Sequence, residues 1–583
     1  MRTISTVLSV LLLGGAASAQ LLVNINTVSF GPADGGSYPE DLVDLGGRAV
    51  FAADDGVTGK ELWVSDGTAA GTFRLTDFNG SGDSMVMTFG KDIRRINGRA
   101  FFVLDDGVAG REPWVTDGTI AGTQMLVDLA GGSAPSYPIP LTVWNGELYF
   151  RASNGGLSSF QDLYATDGTP QGTRLVRDFA GLDTMVGSTA VEHDGHLYFA
   201  ARTDGFGTEL WKTDGTTSGT SMVADAFVGI GSGIEGLQGA SFGGHLYYRG
   251  ITSSGIYEVW RTDGTAAGTV AFSSVTGSVD IRPDDFQVVG SHLVYQARVN
   301  FKWQYHSTDG TTVTQLSDLP LYVHGWELQS NGDKLIGMLR GLNGSFELWG
   351  TDGTVAGTGV IKQIHPDGSE YVNFEAWRVT SGNKLLFRAG NSAVGSELFV
   401  TDGTFAGTSV LADLAAGPLD SDVAGLQRVG DSLLFAANEA STGFELYRLP
   451  WTSVADWLAE PYGEGCASNG NQPRIGASGS AQPGATLTVA LSDATPLSPA
   501  LHYWSPGYAF VDLGACSLFL ATPQFGGSTA VDALGDSNLP IAIPNNPALV
   551  GVGLWMQSLV LDFGGGFLGF GGLTPALEVR IGG

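Results

Sequence analysis

A twelve-residue motif recurs along the first 450 or so residues of this chain and constrains its fold more than any other feature. The first copy, ELWVSDGTAAGT, begins at Glu61, and further full copies begin at Glu112, Asp162, Glu209, Glu258, Glu347 and Glu397. A shortened copy begins at Gln304 and a half copy at Glu445. The aspartates of the DGT segment follow one another at intervals of 43–51 residues. A repeat of this length indicates an array of small structural units.

Each unit contains four short runs rich in Val, Phe, Tyr, Trp and Leu, separated by Gly, Asn and Asp. Such runs predict antiparallel strands joined by hairpins, and four strands in a unit of this length predict a propeller blade. We therefore expect an all-β chain with a β-propeller of about nine four-stranded blades, with eight as the alternative count. The tryptophans of the motif are expected to pack between blades, because both faces of a blade are covered by its neighbours.

The two ends of the array predict that it closes on itself. The last unit supplies three strands and ends at Pro450, where its DGT turn is missing. The segment LLVNINTV, which begins at Leu21, resembles a fourth strand. We expect this N-terminal strand to complete the last blade. The predicted domains are residues 1–19, a signal peptide; residues 20–455, the propeller; and residues 456–583, a small β-sandwich.

The repeat resembles the bacterial ELWxxDGTxxGT repeat family, whose members are exported and mostly uncharacterised. Its DGT aspartates are expected to hold a turn, because an Asp side chain can accept hydrogen bonds from backbone N–H groups two residues further on. A calcium role is the alternative, although one carboxylate per loop is too few for that ion. These structural turn residues are Asp66, Asp117, Asp167, Asp214, Asp263, Asp309, Asp352 and Asp402.

A stronger candidate for calcium is the loop between the second and third strands. In the first two units this loop brings two aspartates and a glutamate together in sequence, around a glycine-bent backbone. Against it, other units have no aspartate there, and a glutamate that binds loop amides explains every copy. No other cofactor is expected. The candidate ligands are Asp54, Asp55, Glu61, Asp105, Asp106 and Glu112.

The N-terminus and the charge restrict location and partners. Arg2, the apolar run from Ile4 to Leu13 and Ala17-Ser18-Ala19 are typical of a signal peptide cleaved before Gln20. We expect a secreted, periplasmic or cell-surface protein. The net charge of −30 argues against nucleic acid, since neutralising phosphates requires clustered Lys and Arg. No transmembrane segment is expected, because the apolar stretch 548–563 is short and contains polar residues.

Several apparent catalytic motifs fail when they are aligned with the repeat. Gly430-Asp431-Ser432-Leu433 spells a hydrolase motif but falls on the turn between the first and second strands. His196, His245 and His292 share one variable position after that same turn. No metalloprotease motif or phosphate-binding loop is present in the sequence.

After Trp457 the repeat stops, and a Gly- and Pro-rich segment with strand-like runs follows. It resembles a C-terminal module of exported bacterial proteins, which implies attachment, sorting or assembly. The matching motifs are residues 462–466, 513–516 and 543–545. Its two cysteines, Cys466 and Cys516, are the only ones in the chain, and we expect them to form a disulfide.

Uniform DGT turns on one rim and variable loops on the other predict that binding occurs on the variable rim. The candidate segments are residues 131–140, 229–239 and 276–285. We expect a non-catalytic extracellular or cell-envelope protein that recognises a glycan or a protein through this rim. The alternatives are a secreted polysaccharide hydrolase or lyase with acids at the channel mouth, and a purely structural envelope component.

Overall fold

Alternating apolar residues and frequent glycine turns produce strands throughout the computed structural model of this protein. No helix occurs among the residues that it describes, so none there could cross a membrane. The described residues of the repeat region are 20–28, 36–80, 82–85, 92–155, 160–179, 184–273, 281–300, 302–317, 329–332, 334–340, 346–365, 375–378, 384–391, 395–405, 407–412, 414–415, 418–439 and 442–450. Those of the C-terminal region are 461–462, 474–479, 486–492, 494, 497–505, 508–512, 517–520, 524–532, 536–542, 553–561, 571–573 and 576–580.

The chain divides into two compact units. One consists of residues 20–378 and 385–448, and the other of residues 449–583 with the short segments 1–19 and 379–384. Within the described part of the first unit, the strands form nine four-stranded antiparallel sheets, which we number 1 to 9 in chain order. This arrangement is an all-β, β-propeller-like fold.

After the N-terminal strand β1 (Gln20–Val23), the first four sheets follow in chain order. Sheet 1 contains β2 (Glu40–Asp44), β3 (Ala49–Asp54), β4 (Lys60–Ser65) and β5 (Phe73–Arg74). Sheet 2 contains β6 (Arg94–Ile96), β7 (Arg99–Asp105), β8 (Arg111–Thr116) and β9 (Gln124–Met125). Sheet 3 contains β10 (Ile139–Trp144), β11 (Glu147–Ala152), β12 (Asp162–Thr166) and β13 (Arg174–Arg177). Sheet 4 contains β14 (Thr184–His193), β15 (His196–Thr203), β16 (Gly207–Thr213) and β17 (Ser221–Met222).

The next four sheets repeat this order of strands. Sheet 5 contains β18 (Gly239–Phe242), β19 (His245–Ile251), β20 (Tyr257–Thr262) and β21 (Val270–Ser273). Sheet 6 contains β22 (Asp284–Val289), β23 (His292–Val299), β24 (Lys302–Thr308) and β25 (Val313–Gln315). Sheet 7 contains β26 (Gln329–Ser330), β27 (Leu335–Arg340), β28 (Phe346–Thr351) and β29 (Gly359–His365). Sheet 8 contains β30 (Glu375–Arg378), β31 (Leu385–Asn391), β32 (Gly395–Thr401) and β33 (Ser409–Ala412).

Sheet 9 takes strands from both ends of the unit. It contains β34 (Ala424–Val429), β35 (Ser432–Glu439), β36 (Gly443–Pro450) and the N-terminal β1. β1 pairs antiparallel with β36, with Gln20 opposite Arg448 and Leu21 opposite Tyr447. The turn between β34 and β35 contains Gly430 and Asp431, so the hydrolase-like motif spans a hairpin.

The hydrophobic core of this unit lies between neighbouring sheets. Val50 and Leu62 of sheet 1, for example, pack in one cluster with Phe102 and Trp114 of sheet 2. Equivalent clusters join sheets 2 and 3, 3 and 4, 4 and 5, 5 and 6, 6 and 7, and 7 and 8. A further cluster joins sheet 9 to sheet 1 through Leu434, Leu446 and Phe51. Burial of both faces explains why the central strands are nearly continuous runs of apolar residues.

The second unit has a different arrangement of strands, and its strands are β37 (Pro461–Tyr462), β38 (Arg474–Gly479), β39 (Thr486–Ser492), β40 (Pro499–Ser505), β41 (Tyr508–Asp512), β42 (Ser517–Leu520), β43 (Gln524–Ala530), β44 (Ser537–Ala542), β45 (Gly553–Leu561), β46 (Gly571–Leu573) and β47 (Ala576–Arg580). They form a six-stranded sheet around β45 and β40, a three-stranded sheet β38-β39-β44 and the hairpin β41-β42. Cys466 and Cys516 lie outside the described residues.

Candidate functional site

In five sheets the glutamate that begins the motif is buried, and it joins its sheet to the segment that leads into the next one. Glu61 accepts hydrogen bonds from Ser84 Oγ and Thr76 Oγ1, each at 2.6 Å. The carbonyl of Ser84 in turn accepts the amide of Asp105 in sheet 2. Three further pairs repeat this contact at 2.6–2.7 Å, and we call the four pairs the glutamate–serine latches: Glu61–Ser84, Glu112–Ser136, Glu397–Ser421 and Glu445–Ser37.

The aspartates suggested as calcium ligands accept hydrogen bonds from their own loops. Asp55 Oδ1 accepts the amides of Val57 and Thr58, and its Oδ2 pairs with Arg74 at 2.8 Å. Asp54, Asp105 and Asp106 likewise accept amides two or three residues further on. Among the described residues, no group of three or more His, Cys, Asp or Glu side chains is placed to hold a metal ion. A calcium ion at these loops stays a prediction.

Burial raises the pKa of the motif glutamates, because it removes water from the charged form. The pKa of Glu61, Glu112 and Glu445 is raised, although serine and threonine hydroxyls or backbone amides partly offset the effect of burial. The described donors to Glu209 are the backbone amides of Ala226, Gly233 and Phe227, because Gly233 stands where the latches have serine. Burial raises the pKa of Glu209 to about 7.

The DGT aspartates lie on the opposite edge of each sheet and bind the turn between the third and fourth strands. Asp214 Oδ1 accepts the backbone amide of Thr216 at 2.8 Å and its hydroxyl at 2.7 Å. Thr216 Oγ1 accepts the amide of Gly219, where a Cβ atom would lie 2.0 Å from the Asp214 carboxylate. The hydroxyl of Thr216 also lowers the pKa of Asp214. The remaining seven DGT aspartates accept the same amide and hydroxyl from the threonine two residues on.

These turns are also bonded to the preceding sheet. In seven of the eight turns a Lys or Arg side chain donates to the carbonyl of the DGT glycine, and the eighth turn, at Gly353, lies against His292. The pairs, with donor–acceptor distances of 2.8–3.4 Å, are Arg48–Gly118, Arg99–Gly168, Arg174–Gly215, Lys212–Gly264, Arg261–Gly310, Lys334–Gly403 and Arg448–Gly67. The last of these pairs joins sheet 9 to sheet 1.

One position of the repeat carries side chains of different chemistry in different sheets. The last residue of the first strand is a buried apolar side chain in sheets 2, 3, 6 and 9, namely Ile96, Trp144, Val289 and Val429. In sheets 1, 5, 7 and 8 it is Asp44, Phe242, Ser330 and Arg378. In sheet 4 it is His193, which is only 3% exposed. His193 Nδ1 lies 2.9 Å from Ser241 Oγ, on the first strand of sheet 5, and the two atoms share a hydrogen bond. The Ser241 residue itself is exposed.

The surroundings of this pair favour a neutral imidazole. Burial lowers the pKa of His193, an effect only partly offset by the nearby acids Asp194 and Glu192. The ring packs at a tilt against Tyr198, with 5.8 Å between ring centroids. Its second nitrogen, Nε2, is buried and has no hydrogen-bond partner in the structure. A neutral histidine hydrogen-bonded to an exposed serine can act as a general base for that serine.

A second Ser–His pair occurs in the C-terminal unit. His502 Nδ1 lies 2.7 Å from Ser558 Oγ, and its Nε2 lies 2.8 Å from Thr529 Oγ1. Both His502 and Ser558 are buried, with exposures of 3% and 0%. Both imidazole nitrogens are therefore occupied, and the serine has no access to solvent. This pair serves as an internal comparison for His193 and Ser241.

Sequence reasoning did not single out His193. It considered His196, His245 and His292, which are half-buried residues that begin the second strands of sheets 4, 5 and 6. The sequence does show that His193 stands where four other repeats have an apolar residue, whereas those three histidines occupy a variable polar position. Its partner is 48 residues away, on the next sheet, and could not be found from spacing.

No protein-family model matches this sequence, and no curated protein matches it. Solved structures match at low similarity. Puromycin hydrolase is 13% identical with a TM-score of 0.35, and the match covers 64% of this chain and 61% of that one. A puromycin-hydrolyzing peptidase of Mycobacterium tuberculosis is also 13% identical with a TM-score of 0.35, covering 64% and 60%. Prolyl oligopeptidase B from Galerina marginata is 12% identical with a TM-score of 0.36, covering 60% and 55%.

These matches contradict the expectation of a non-catalytic protein that binds a glycan or protein. The matched structures are a puromycin hydrolase, a puromycin-hydrolyzing peptidase and a prolyl oligopeptidase, so the expectation and its two alternatives are wrong and are not retained. The chain spans about three fifths or less of the length of these enzymes. At such TM-scores the likeness assigns no activity to this chain.

Proposed function

We propose that sheets 1 to 9 are the blades of one closed nine-bladed propeller. Three contacts between sheet 9 and sheet 1 support closure. Glu445 and Ser37 form a latch of the kind that joins consecutive sheets. Arg448 donates to the Gly67 carbonyl as its equivalents do around the array. The first strands β2 and β34 also pack against each other.

We further propose that the inner face of this ring carries a serine-based acyl-transfer site, with Ser241 as the nucleophile and His193 as its base. In a propeller the sheets surround a central channel, and here the first strands of neighbouring sheets contact one another around it. The observation that carries the proposal is the 2.9 Å hydrogen bond between a solvent-exposed serine and a buried histidine. The histidine stands where sheets 2, 3, 6 and 9 have a buried apolar residue.

The chemistry follows from the roles of the two side chains. Ser241 Oγ attacks the carbonyl carbon of an ester or amide, while its proton passes to His193 Nδ1. Collapse of the tetrahedral intermediate breaks the bond to the leaving group, which takes the proton from His193. Water then cleaves the acyl-serine ester by the same route, again with His193 as base. Since no carboxylate holds Nε2, we expect slow turnover and a readily observed acylation step.

A fluorophosphonate reagent tests this directly, because it forms a covalent bond to an activated serine without requiring the natural substrate. We expect one equivalent of label on Ser241, located by peptide mass spectrometry. Ser241→Ala should abolish labelling. His193→Phe places an apolar aromatic residue where sheets 2, 3, 6 and 9 have an apolar one. It should slow labelling by roughly a hundredfold or more, the usual contribution of a general base.

Ser558→Ala provides the matched control. It disrupts the other Ser–His pair, where the serine is buried, and it should leave labelling unchanged. Native protein that takes up no label, label on another residue, or equal labelling rates in native protein and His193→Phe would each refute the proposal. Melting temperatures of the variants separate loss of reactivity from loss of fold.

A further inference from the structure

Two arginines that form no ion pair with any described residue lie near one tyrosine, at the edge of sheets 2 and 3 opposite the DGT turns. Arg111 begins β8, and its guanidinium carbon lies 5.9 Å from the centre of the Tyr137 ring. Arg151, on β11, is hydrogen-bonded to the side chain of Gln161. The side-chain amide nitrogen of Gln161, Nε2, donates to the backbone carbonyl of Tyr137 at 3.0 Å. Tyr137 is thus in contact with Arg111 directly and with Arg151 through Gln161.

Arg151 differs from its equivalents on other sheets. Arg249 and Arg388 occupy the same place on the second strand, opposite the leucine or valine of the motif. Arg249 pairs with Asp284 at 3.5 Å, and Arg388 with Asp422 at 3.8 Å. In both cases the aspartate lies at or just before the start of the first strand of the following sheet. Arg151 forms no ion pair with any described residue, and its Nε is buried without a partner.

The local backbone and charge are consistent with a site for an anion. Tyr137 has a φ of 50°, a left-handed conformation that costs free energy in a non-glycine residue. Gln161 is 2% exposed, so the group that orients Arg151 is fixed by packing. Burial lowers the pKa of Arg151 to about 10.

We propose that Arg111 and Arg151 bind an oxyanion, a carboxylate or a phosphate, beside Tyr137. Arginine provides planar N–H donors that match both anions. The bound anion would supply the negative charge that Asp284 and Asp422 supply to the equivalent arginines. Tyr137 would form one wall of the site, with its ring already in contact with the Arg111 guanidinium. This site does not depend on the proposed reactivity of Ser241.

Calorimetry of the full chain tests the site with three probes: inorganic phosphate, N-acetyl-trialanine with a free carboxylate, and the amide of the same peptide. We expect one equivalent of phosphate or of the acid peptide to bind at millimolar concentrations, and no binding of the amide. Arg151→Gln and Arg111→Gln should each weaken binding by roughly ten- to a hundredfold, the value of one hydrogen bond to a charged group. Arg151→Lys should retain part of the affinity.

Arg249→Gln is the matched control, because the native Arg249 already has an aspartate partner; binding should not change. The two acidic probes distinguish the sources, since tighter binding of the peptide identifies a carboxylate ligand and tighter binding of phosphate a phosphorylated one. Equal binding of the acid and amide peptides, an equal effect of Arg249→Gln and Arg151→Gln, or no binding of either anion would overturn the proposal. Melting temperatures show whether each variant is folded.

Discussion

Glu209 offers a quantitative test of how burial acts on the repeat. It is 1% exposed, accepts backbone amides from Ala226 and Gly233, and has a pKa raised to about 7. The ordinary value of a glutamate is 4.5. Between pH 4.5 and 7 the folded protein therefore holds a proton that the unfolded chain has released. The free energy of unfolding falls as pH rises through this window and is level above it.

The size of the effect follows from the shift in pKa. A difference of about 2.5 pH units, at 1.36 kcal/mol each, corresponds to about 3 kcal/mol. Glu209→Gln removes this titration. Between pH 4.5 and pH 8 the variant should therefore lose about 3 kcal/mol less of its free energy of unfolding than native protein does. The amide of Gln would also face a backbone N–H, which should add a constant cost of about 1–3 kcal/mol at every pH.

Urea unfolding of the full chain at pH 4.5 and pH 8 measures both quantities. The control is Glu112→Gln: Ser136 donates a hydroxyl to Glu112, and the pKa of this carboxyl is raised less. Its pH dependence should therefore change by less. If native protein and Glu209→Gln lost the same stability between the two pH values, Glu209 would titrate normally, and burial would not control its charge.

Other predictions concern the turns and the chain ends. Asp214→Ala and Asp117→Ala should each lower the free energy of unfolding by about 1 kcal/mol, because each removes the acceptor of the turn hydrogen bonds. The two effects should add, because the residues lie on different sheets. A loss of stability that depends on calcium and is absent in chelator would favour the metal alternative. Deleting residues 20–27 should lower the melting temperature and cause aggregation, because it exposes the edge of β36 and removes two amide donors from Glu445. An unchanged, monomeric melt would argue against closure. Mass spectrometry of unreduced digests should detect the Cys466–Cys516 peptide pair, and free thiols in exported protein would contradict it.

The repeat by itself determined the all-β, four-stranded organisation of the first unit. Period-two alternation and glycine turns are local properties, so copying them along the chain copies the sheet. The DGT hydrogen bonds are equally local, since the acceptor Asp214 and its donor partner Thr216 are two residues apart. The N-terminal strand was also predictable, because the last unit lacked a strand; in the structure β1 pairs with β36.

Contacts between sheets were decided only by the tertiary structure. His193 stands where four other sheets have a buried apolar residue, and its significance depends on Ser241 lying across the boundary between sheets 4 and 5. Arg151 has the same sequence environment as Arg249, yet of these two only Arg249 pairs with an aspartate among the described residues. Chain spacing does not encode which side chains meet between sheets, because the connecting segments differ in length and path. The repeat therefore specifies the units, and their packing creates the sites.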